Sequence, residues 1–286
     1  MELIKRETRE ALELALRKVK FKGRAARTVE TYKIGRDDFI KWAKDRGTVP
    51  TVDQVAVYIE ELKGERSGAY VNQHLYALKA AFMEAAERAG VQARELALIR
   101  GTLEAIPKVK IQDKPVSVIT QEERRRLLEA MPERIRLISE FLYQTGARVT
   151  EAINVKRDSD IKVNGNVDVR LYGKGGKERT VRITRELLDR IDRQFTREGR
   201  ELLFETETGG PYKRGYLSRE IGRASRRALG RRVTPHVLRH SRATDLYQDT
   251  KRIKAVGNLL GHSSTAVTTK YYVNDTFNDE DLFKDV

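Results

Sequence analysis

Residues 107–118 separate two parts of the chain that differ in sequence pattern. The segment reads PKVKIQDKPVSV, with two prolines, three lysines and no helical period. Proline cannot continue a helix, and it also disfavours helix for the residue before it. We therefore interpret the segment as a basic interdomain linker, which predicts one domain over residues 1–106 and a second over residues 119–286.

The first domain has apolar residues at helical spacing almost throughout. In the clearest helix, Ser67 precedes an apolar stripe that continues until Gly90, a residue that favours a helix C-cap. Thr51 and Gln54 predict a capping box for the helix before it. His74 is expected to be a surface or packing residue rather than a ligand. These patterns predict a helical bundle.

In the second domain, the spacing of apolar residues changes once from the helical period to the alternation typical of strands. Three short runs of alternating residues are separated by Asn164-Gly165 and Gly175-Gly176, which are residues typical of tight turns between antiparallel strands. We expect a small three-stranded antiparallel sheet here, and helix from there to an acidic tail at 274–286. The predicted fold class is mainly α with two domains, of which the second is α+β.

The composition limits the partner and the compartment. A net charge of +15 and a pI near 9.9 predict an anionic partner, and most of the excess lies in residues 118–270. The absence of cysteine excludes disulfides and thiolate metal sites, and four histidines argue against a histidine-rich metal centre. No metal and no cofactor are therefore predicted. Because the sequence has no long apolar run and its start is charged rather than a signal peptide, we expect a cytoplasmic protein without a membrane partner.

Residues 234–272 bring together groups that bind phosphate. This stretch holds three of the four histidines. On a helix, His236 and Arg239 at i and i+3 share one face, and His262 and Tyr271 follow in the chain. Cations, imidazoles and a phenol that converge on one point predict a site for a phosphate.

Four motifs resemble the active-site motifs of the tyrosine recombinases, with most likeness to the small Xer-type members. In order they are TGARVTE at 145–151, GKG at 173–175, HVLRHSRAT at 236–244 and LGHS at 260–263. Tyr271 follows His262 by nine residues, as the family places it. The resemblance covers nearly the whole chain, and the composition fits an archaeal or thermophilic member.

The resemblance implies a function for each motif and for each domain. Residues 1–106 would form the SAM-like core-binding domain, and the second domain would be catalytic. Such enzymes cut DNA without metal or ATP by forming a 3′-phosphotyrosyl intermediate: two arginines neutralise the phosphate, a tyrosine attacks it and a lysine protonates the leaving oxygen. The residues carried over are Arg148, Lys174, His236, Arg239, His262 and the nucleophile Tyr271, with Glu151 as a supporting acid.

Three assignments have alternatives. Tyr272 competes with Tyr271 as the nucleophile, and because helix neighbours point about 100° apart, only one of them faces the site. Lys177 competes with Lys174 at the hairpin. His240 is expected to face away from the site and to pack or cap, since it directly follows Arg239.

Three departures from the family pattern affect packing rather than the catalytic set. Arg242 stands where the family usually has an aromatic or apolar residue. Residues 244–250 (TDLYQDT) replace the usual helix ending, and residues 270–273 (KYYV) replace the common run after the nucleophile.

The predicted function is site-specific recombination of double-stranded DNA that carries paired inverted half-sites. The resemblance implies a homotetramer on DNA, with the tail at 274–286 docked in a neighbouring protomer. It favours Xer-like resolution of chromosome or plasmid dimers at a dif-like site in the nucleoid. The alternatives are a viral or mobile-element integrase, a type IB topoisomerase and a non-catalytic DNA-binding protein. We expect no additional arm-binding domain before the bundle, which argues against a large phage integrase.

Overall fold

The computed structural model describes residues 4–111 and 117–261. In these ranges the chain forms twelve α-helices and one three-stranded sheet. Contacts divide the chain into two compact units, residues 1–114 and 115–286. The mainly helical fold with one small antiparallel sheet is confirmed. Within the described ranges, no helix is both long enough and apolar enough to cross a lipid bilayer.

The first unit is a bundle of five helices in which α4 packs against all four others. Successive turns of α4 bury Val71, Leu75, Leu78, Phe82 and Ala85, the stripe expected of a helix surrounded by its neighbours. The helices are α1 (Arg6–Leu16), α2 (Ala26–Asp45), α3 (Val52–Glu65), α4 (Gly68–Arg88) and α5 (Ala93–Ala105).

Three local details of the first unit bear on the expectations, and two of them differ. Ser67 caps α4 by accepting a hydrogen bond from the backbone N–H of Tyr70. The capping box predicted at Thr51 is wrong, because its side chain makes no cap hydrogen bond and its backbone carbonyl accepts the N–H of Gln54 instead. His74 is fully buried, with one ring nitrogen 3.1 Å from a carboxylate oxygen of Asp38, so packing rather than a surface position is correct.

In its described residues, the second unit has seven helices and the sheet. In chain order, the elements are α6 (Gln121–Glu129), α7 (Glu133–Thr145), α8 (Val149–Ala152), β1 (Ile161–Asn164), β2 (Asn166–Tyr172), β3 (Glu178–Ile183), α9 (Arg185–Gln194), α10 (Arg214–Leu229), α11 (Pro235–Thr250) and α12 (Ile253–Leu260). The strands pair antiparallel in the order β1-β2-β3. The helices that pack on the sheet are α7, α8, α9 and α12. Alternate residues of β2 are buried, and α7 contributes Phe141 to the same core.

The expectation of unbroken helix after the sheet is wrong. Residues 195–213 are mostly irregular, with isolated bridges from Lys156 to Leu202 and from Glu205 to Pro211. The buried Glu205 carboxylate organises this segment by accepting the backbone N–H of Leu202 at 3.1 Å and a hydrogen bond from Arg197 at 2.8 Å. The Glu205 carboxylate therefore provides hydrogen bonds that the backbone of this segment would otherwise make within a helix.

Candidate active site

A cavity of about 570 Å³ lies where the junction of α7 and α8 meets the first turns of α10 and α11. Arg148 enters it from the start of α8, and His236 and Arg239 enter it from α11, which packs on α7. The spacing of His236 and Arg239 on one helix face is thus realised. Arg214 and Arg232 line the same cavity and were not predicted from the sequence. Five basic side chains therefore surround one opening.

Arg239 forms a buried part of the cavity wall, with 2% of its surface exposed. Its Nη1 donates to the carbonyl of Gly146 and its Nη2 to that of Leu260, each at 2.6 Å. These carbonyls belong to the ends of α7 and α12, where helices leave acceptors without internal partners. Arg239 thereby fixes two helix ends beside the cavity.

Arg148 is the more accessible arginine, with 41% of its side chain exposed. Its Nη1 donates to Oε1 of Glu151 at 2.8 Å, and its backbone N–H donates to Oε2 of the same acid at 2.7 Å. The guanidinium is therefore held on one edge by Glu151 and open on the other. An arginine held in this way can present a pre-oriented charge to an anion.

Glu151 is buried and is surrounded by arginines. Arg179 of β3 donates Nη1 to Oε1 at 3.1 Å and Nη2 to Oε2 at 2.7 Å, and Nη1 of Arg239 lies 4.0 Å from Oε2. Burial alone raises the pKa of Glu151, but the hydrogen bonds from Arg179 and Arg148 and the charge of Arg179 outweigh it, so the pKa lies below the ordinary 4.5. Glu151 is therefore an ionised acceptor and does not supply protons near neutral pH.

The Glu151→Gln variant is expected to be less stable by about 3–5 kcal/mol near pH 7, because it leaves buried arginine donors without a charged partner. The lowered pKa means that this contribution is present above pH 4.5 and is lost as the pH falls through the folded-state value. The difference in free energy of unfolding between the two proteins should therefore shrink on acidification, as measured by denaturant unfolding at several pH values.

Glu129→Gln is a matched control for this prediction. Glu129 pairs with Arg125 at 2.7 Å, but its side chain is 57% exposed. Removal of such a surface pair should cost less than about 1 kcal/mol at any of these pH values. An equal loss in free energy of unfolding in both variants would show that Glu151 contributes no more to the stability of this unit than a surface acid does.

His236 opens on the cavity. Partial burial, and then the charges of three arginines around it, lower the pKa of its imidazole below the ordinary 6.5. The neutral imidazole can therefore accept a proton near neutral pH. The expectation that His240 packs and does not enter the site is confirmed, since His240 is not among the residues that line the cavity. Its ring packs edge-on against that of His236, with centroids 4.4 Å apart.

Two glycines in the motifs are required by the backbone. Gly146 ends α7 with φ 60°, and a Cβ there would lie 3.3 Å from Leu260. Gly261 ends α12 with φ 62°, and a Cβ there would lie 3.1 Å from Nη1 of Arg179. Both positions combine left-handed backbone with a close approach, so a larger residue would displace the segments that carry the motifs.

The remaining predicted residues are placed only in part. Lys174 begins a 3₁₀ turn (Lys174–Gly176) between β2 and β3, and Lys177 lies between that turn and the first residue of β3. His262, Tyr271 and Tyr272 lie outside the described residues, as does the tail at 274–286. Their predicted functions therefore stay predictions.

The unusual Arg242 is accommodated beside a tyrosine. Its guanidinium lies 5.9 Å from the ring centroid of Tyr143, and that of Arg124 lies 3.9 Å from the same centroid. The Tyr143 hydroxyl donates to Asp245 on α11. Arg242 thus has an aromatic neighbour, and the same ring also contacts a second guanidinium group.

The fold is that of a helical protein with one small sheet, and its second unit has a cavity lined by arginines and a histidine. The sequence pattern of the family described as "Phage integrase family" matches residues 117–279 of this chain. The chain belongs to this family, whose tyrosine recombinases cut and rejoin DNA.

Curated relatives agree with this assignment. Tyrosine recombinase XerA of Pyrococcus furiosus is 30% identical over 274 residues, which cover 92% of this chain and 88% of the relative. Tyrosine recombinase XerA of Thermococcus kodakarensis is 37% identical over 164 residues, which cover 54% of this chain and only 56% of the relative. The chain is therefore similar to Xer-type enzymes, in one case over nearly its full length.

Solved structures have the same fold. The XerH site-specific recombinase bound to palindromic difH substrate, in a post-cleavage complex, matches with a TM-score of 0.72 and 22% identity over 96% of this chain and 94% of that one. A lambda integrase dimer bound to a COC′ core site matches with a TM-score of 0.73 and 21% identity over 94% of this chain and 78% of that one. At these identities the likeness concerns the fold.

Proposed function

We propose that this chain resolves chromosome or plasmid dimers by Xer-like recombination at a dif-like site. The observation that carries the proposal is the cavity that Arg148, His236 and Arg239 share, in a chain similar to a XerA recombinase along 92% of its length. The structural match to a XerH enzyme on difH substrate shows that the fold of this chain is one that such recombinases use. The working form would be a tetramer on two DNA sites of inverted half-sites, in the nucleoid.

The proposed chemistry begins with cleavage of one strand. Arg148 and Arg239 neutralise the charge that builds on the non-bridging oxygens. The Tyr271 phenol oxygen forms a bond to phosphorus, and the bond from phosphorus to the 5′ oxygen breaks. A phenol has a pKa of roughly 10, so its proton must be accepted as it attacks, and the neutral His236 is suited to receive or relay it.

Completion of the reaction conserves the energy of the phosphodiester. Lys174 donates a proton to the departing 5′ oxygen, and His262 hydrogen-bonds the phosphate. The free 5′-hydroxyl of another strand then attacks the 3′-phosphotyrosine, which releases the tyrosine and reseals the strand. Bond making and bond breaking balance in both steps, so strands exchange without ATP.

The two further arginines of the cavity are suited to neighbouring phosphates. Within residues 4–111 and 117–261, neither Arg214 nor Arg232 forms an ion pair. A cavity of about 570 Å³ is larger than one phosphate needs. We infer that Arg214 and Arg232 bind the phosphates that flank the cleaved one.

The double variant Arg214→Gln, Arg232→Gln is expected to bind all DNA sequences more weakly. If each arginine contacts one phosphate, the slope of log K against log salt should become less steep by about 0.9 per contact. Arg185→Gln is the control, since this arginine pairs with Asp189 on α9 and is 63% exposed. Titrations by fluorescence anisotropy at several salt concentrations measure the slope, and an unchanged slope in the double variant would exclude the assignment.

The proposed role is tested by recovering the genomic DNA that the Tyr271→Phe protein binds and by placing two direct copies of that site on a plasmid. The proposal predicts one chromosomal site of inverted half-sites, and resolution of the plasmid into two circles by the unmodified protein. Sites at the ends of a mobile element would favour an integrase. Relaxation of plasmids that lack the site would favour a topoisomerase, and binding without any strand exchange would favour the non-catalytic alternative.

A further inference from the structure

Arg179 is the residue at which three of the sequence motifs meet. It lies on β3, five residues after Lys174, and 11% of its side chain is exposed. Its two Nη atoms donate to the two carboxylate oxygens of Glu151, and its Nε donates to the carbonyl of Leu259 at 2.8 Å. One side chain thereby joins the strand of the lysine hairpin to α8 and to the last turn of α12.

Backbone from two motifs approaches this ion pair closely. A Cβ on Gly173, which precedes Lys174, would lie 3.5 Å from Oε1 of Glu151. A Cβ on Gly261 would lie 3.2 Å from Cδ of Arg179. The hairpin and the end of α12 therefore both pack onto the pair of Glu151 and Arg179, with little room for side chains between them.

The contacts of Arg179 require the shape of a guanidinium as well as its positive charge. Two parallel hydrogen bonds to a carboxylate match the planar fork of arginine, while the Nε–H points in a third direction, toward Leu259. A lysine at this position keeps the positive charge but has one nitrogen, so it cannot hold Glu151 and Leu259 in the same way. The geometry is therefore more specific than charge neutralisation needs.

We propose that Arg179 is a positioning residue that fixes the lysine hairpin against Glu151 and Arg148 for protonation of the leaving oxygen. It does not line the cavity, so it acts through Glu151 and through the strand that follows the hairpin. The inference rests on the proposed function, because it presupposes that the hairpin lysine is the acid. A displaced hairpin slows the step in which the 5′ oxygen leaves.

The test compares Arg179→Lys with Arg182→Lys. Arg182 lies on the same strand and also pairs with a carboxylate, Asp168 at 2.8 Å, but its side chain is 68% exposed. The probe is a nicked duplex that the protein itself selects from a random-sequence pool. We expect Arg179→Lys to lower the single-turnover rate constant for covalent adduct formation about 10²-fold, the size of effect that a misplaced group produces. DNA affinity should stay unchanged, and Arg182→Lys should cleave at the unmodified rate.

A second substrate separates positioning from loss of folded protein. In a duplex with sulfur in place of the bridging 5′ oxygen, the leaving group is a thiolate, which departs without a proton because thiols have a pKa of roughly 8.5. Arg179→Lys should recover most of its rate on this substrate. The rate constant, unlike the amplitude, does not depend on how much protein is folded.

The outcomes are distinct. The inference is supported if Arg179→Lys cleaves the oxygen substrate slowly and recovers most of its rate on the sulfur substrate, while Arg182→Lys cleaves both at the unmodified rate. An equal loss on both substrates, or cleavage of the oxygen substrate at the unmodified rate, overturns it while the proposed function stands. If the unmodified protein forms no adduct on either substrate, the proposed function fails and the inference fails with it.

Discussion

The Arg148→Gln variant is expected to form the covalent protein–DNA intermediate about 10²- to 10³-fold more slowly, the usual effect of removing one group that stabilises a developing oxyanion. The guanidinium of Arg148 is a planar fork of donors that can hold two phosphate oxygens at once. Because 41% of the side chain is exposed and Glu151 keeps its two hydrogen bonds from Arg179, the fold should lose little stability. Single-turnover cleavage and thermal unfolding measure the two effects separately.

The control for this prediction removes the same charge elsewhere in the second unit. Arg185→Gln loses an arginine that pairs with an acid on its own helix, as Arg148 does on α8, but that side chain lies outside the cavity. Its cleavage rate should stay unchanged. Full activity of Arg148→Gln, or an equal loss in Arg185→Gln, would mean that the cavity is not the site of cleavage.

Arg239 allows a complementary comparison. Its guanidinium holds the carbonyls of Gly146 and Leu260 in a buried position, so its replacement affects stability and cleavage together. Arg148 is thus the position at which chemistry can be separated from folding. The two arginines of the predicted clamp differ in this respect, although the motifs alone treat them alike.

Local patterns in the sequence predicted the features that local chemistry decides. His236 and Arg239 face one cavity because side chains three positions apart on a helix lie on the same side of it. The strands begin and end near the predicted turns, since alternating residues and glycine turns specify a hairpin.

Tertiary packing decides what the sequence did not reveal. The partners of Arg179 are 28 and 80 residues away, and no spacing rule connects a strand arginine to a buried acid and a helix end. Arg214 and Arg232 carry no motif and are two of many basic residues in this chain. The capping box at Thr51 failed for the opposite reason, because a correct local pattern was satisfied by backbone instead of side chain.

Tyr271→Phe is expected to abolish the covalent intermediate completely, since phenylalanine has no oxygen to attack phosphorus. The variant should still bind DNA, because binding depends on the cations of the cavity and on the rest of the basic surface. Tyr272→Phe is the matched control and should keep its activity. The assignment depends on the spacing of Tyr271 after His262.

The most direct measurement is to trap the adduct on a nicked duplex and to map the modified residue by mass spectrometry. We expect the unmodified protein to carry the DNA 3′-phosphate on Tyr271 and Tyr271→Phe to carry none. An adduct on Tyr272, an adduct that persists in Tyr271→Phe, or no adduct on a duplex that the protein binds tightly would contradict this expectation.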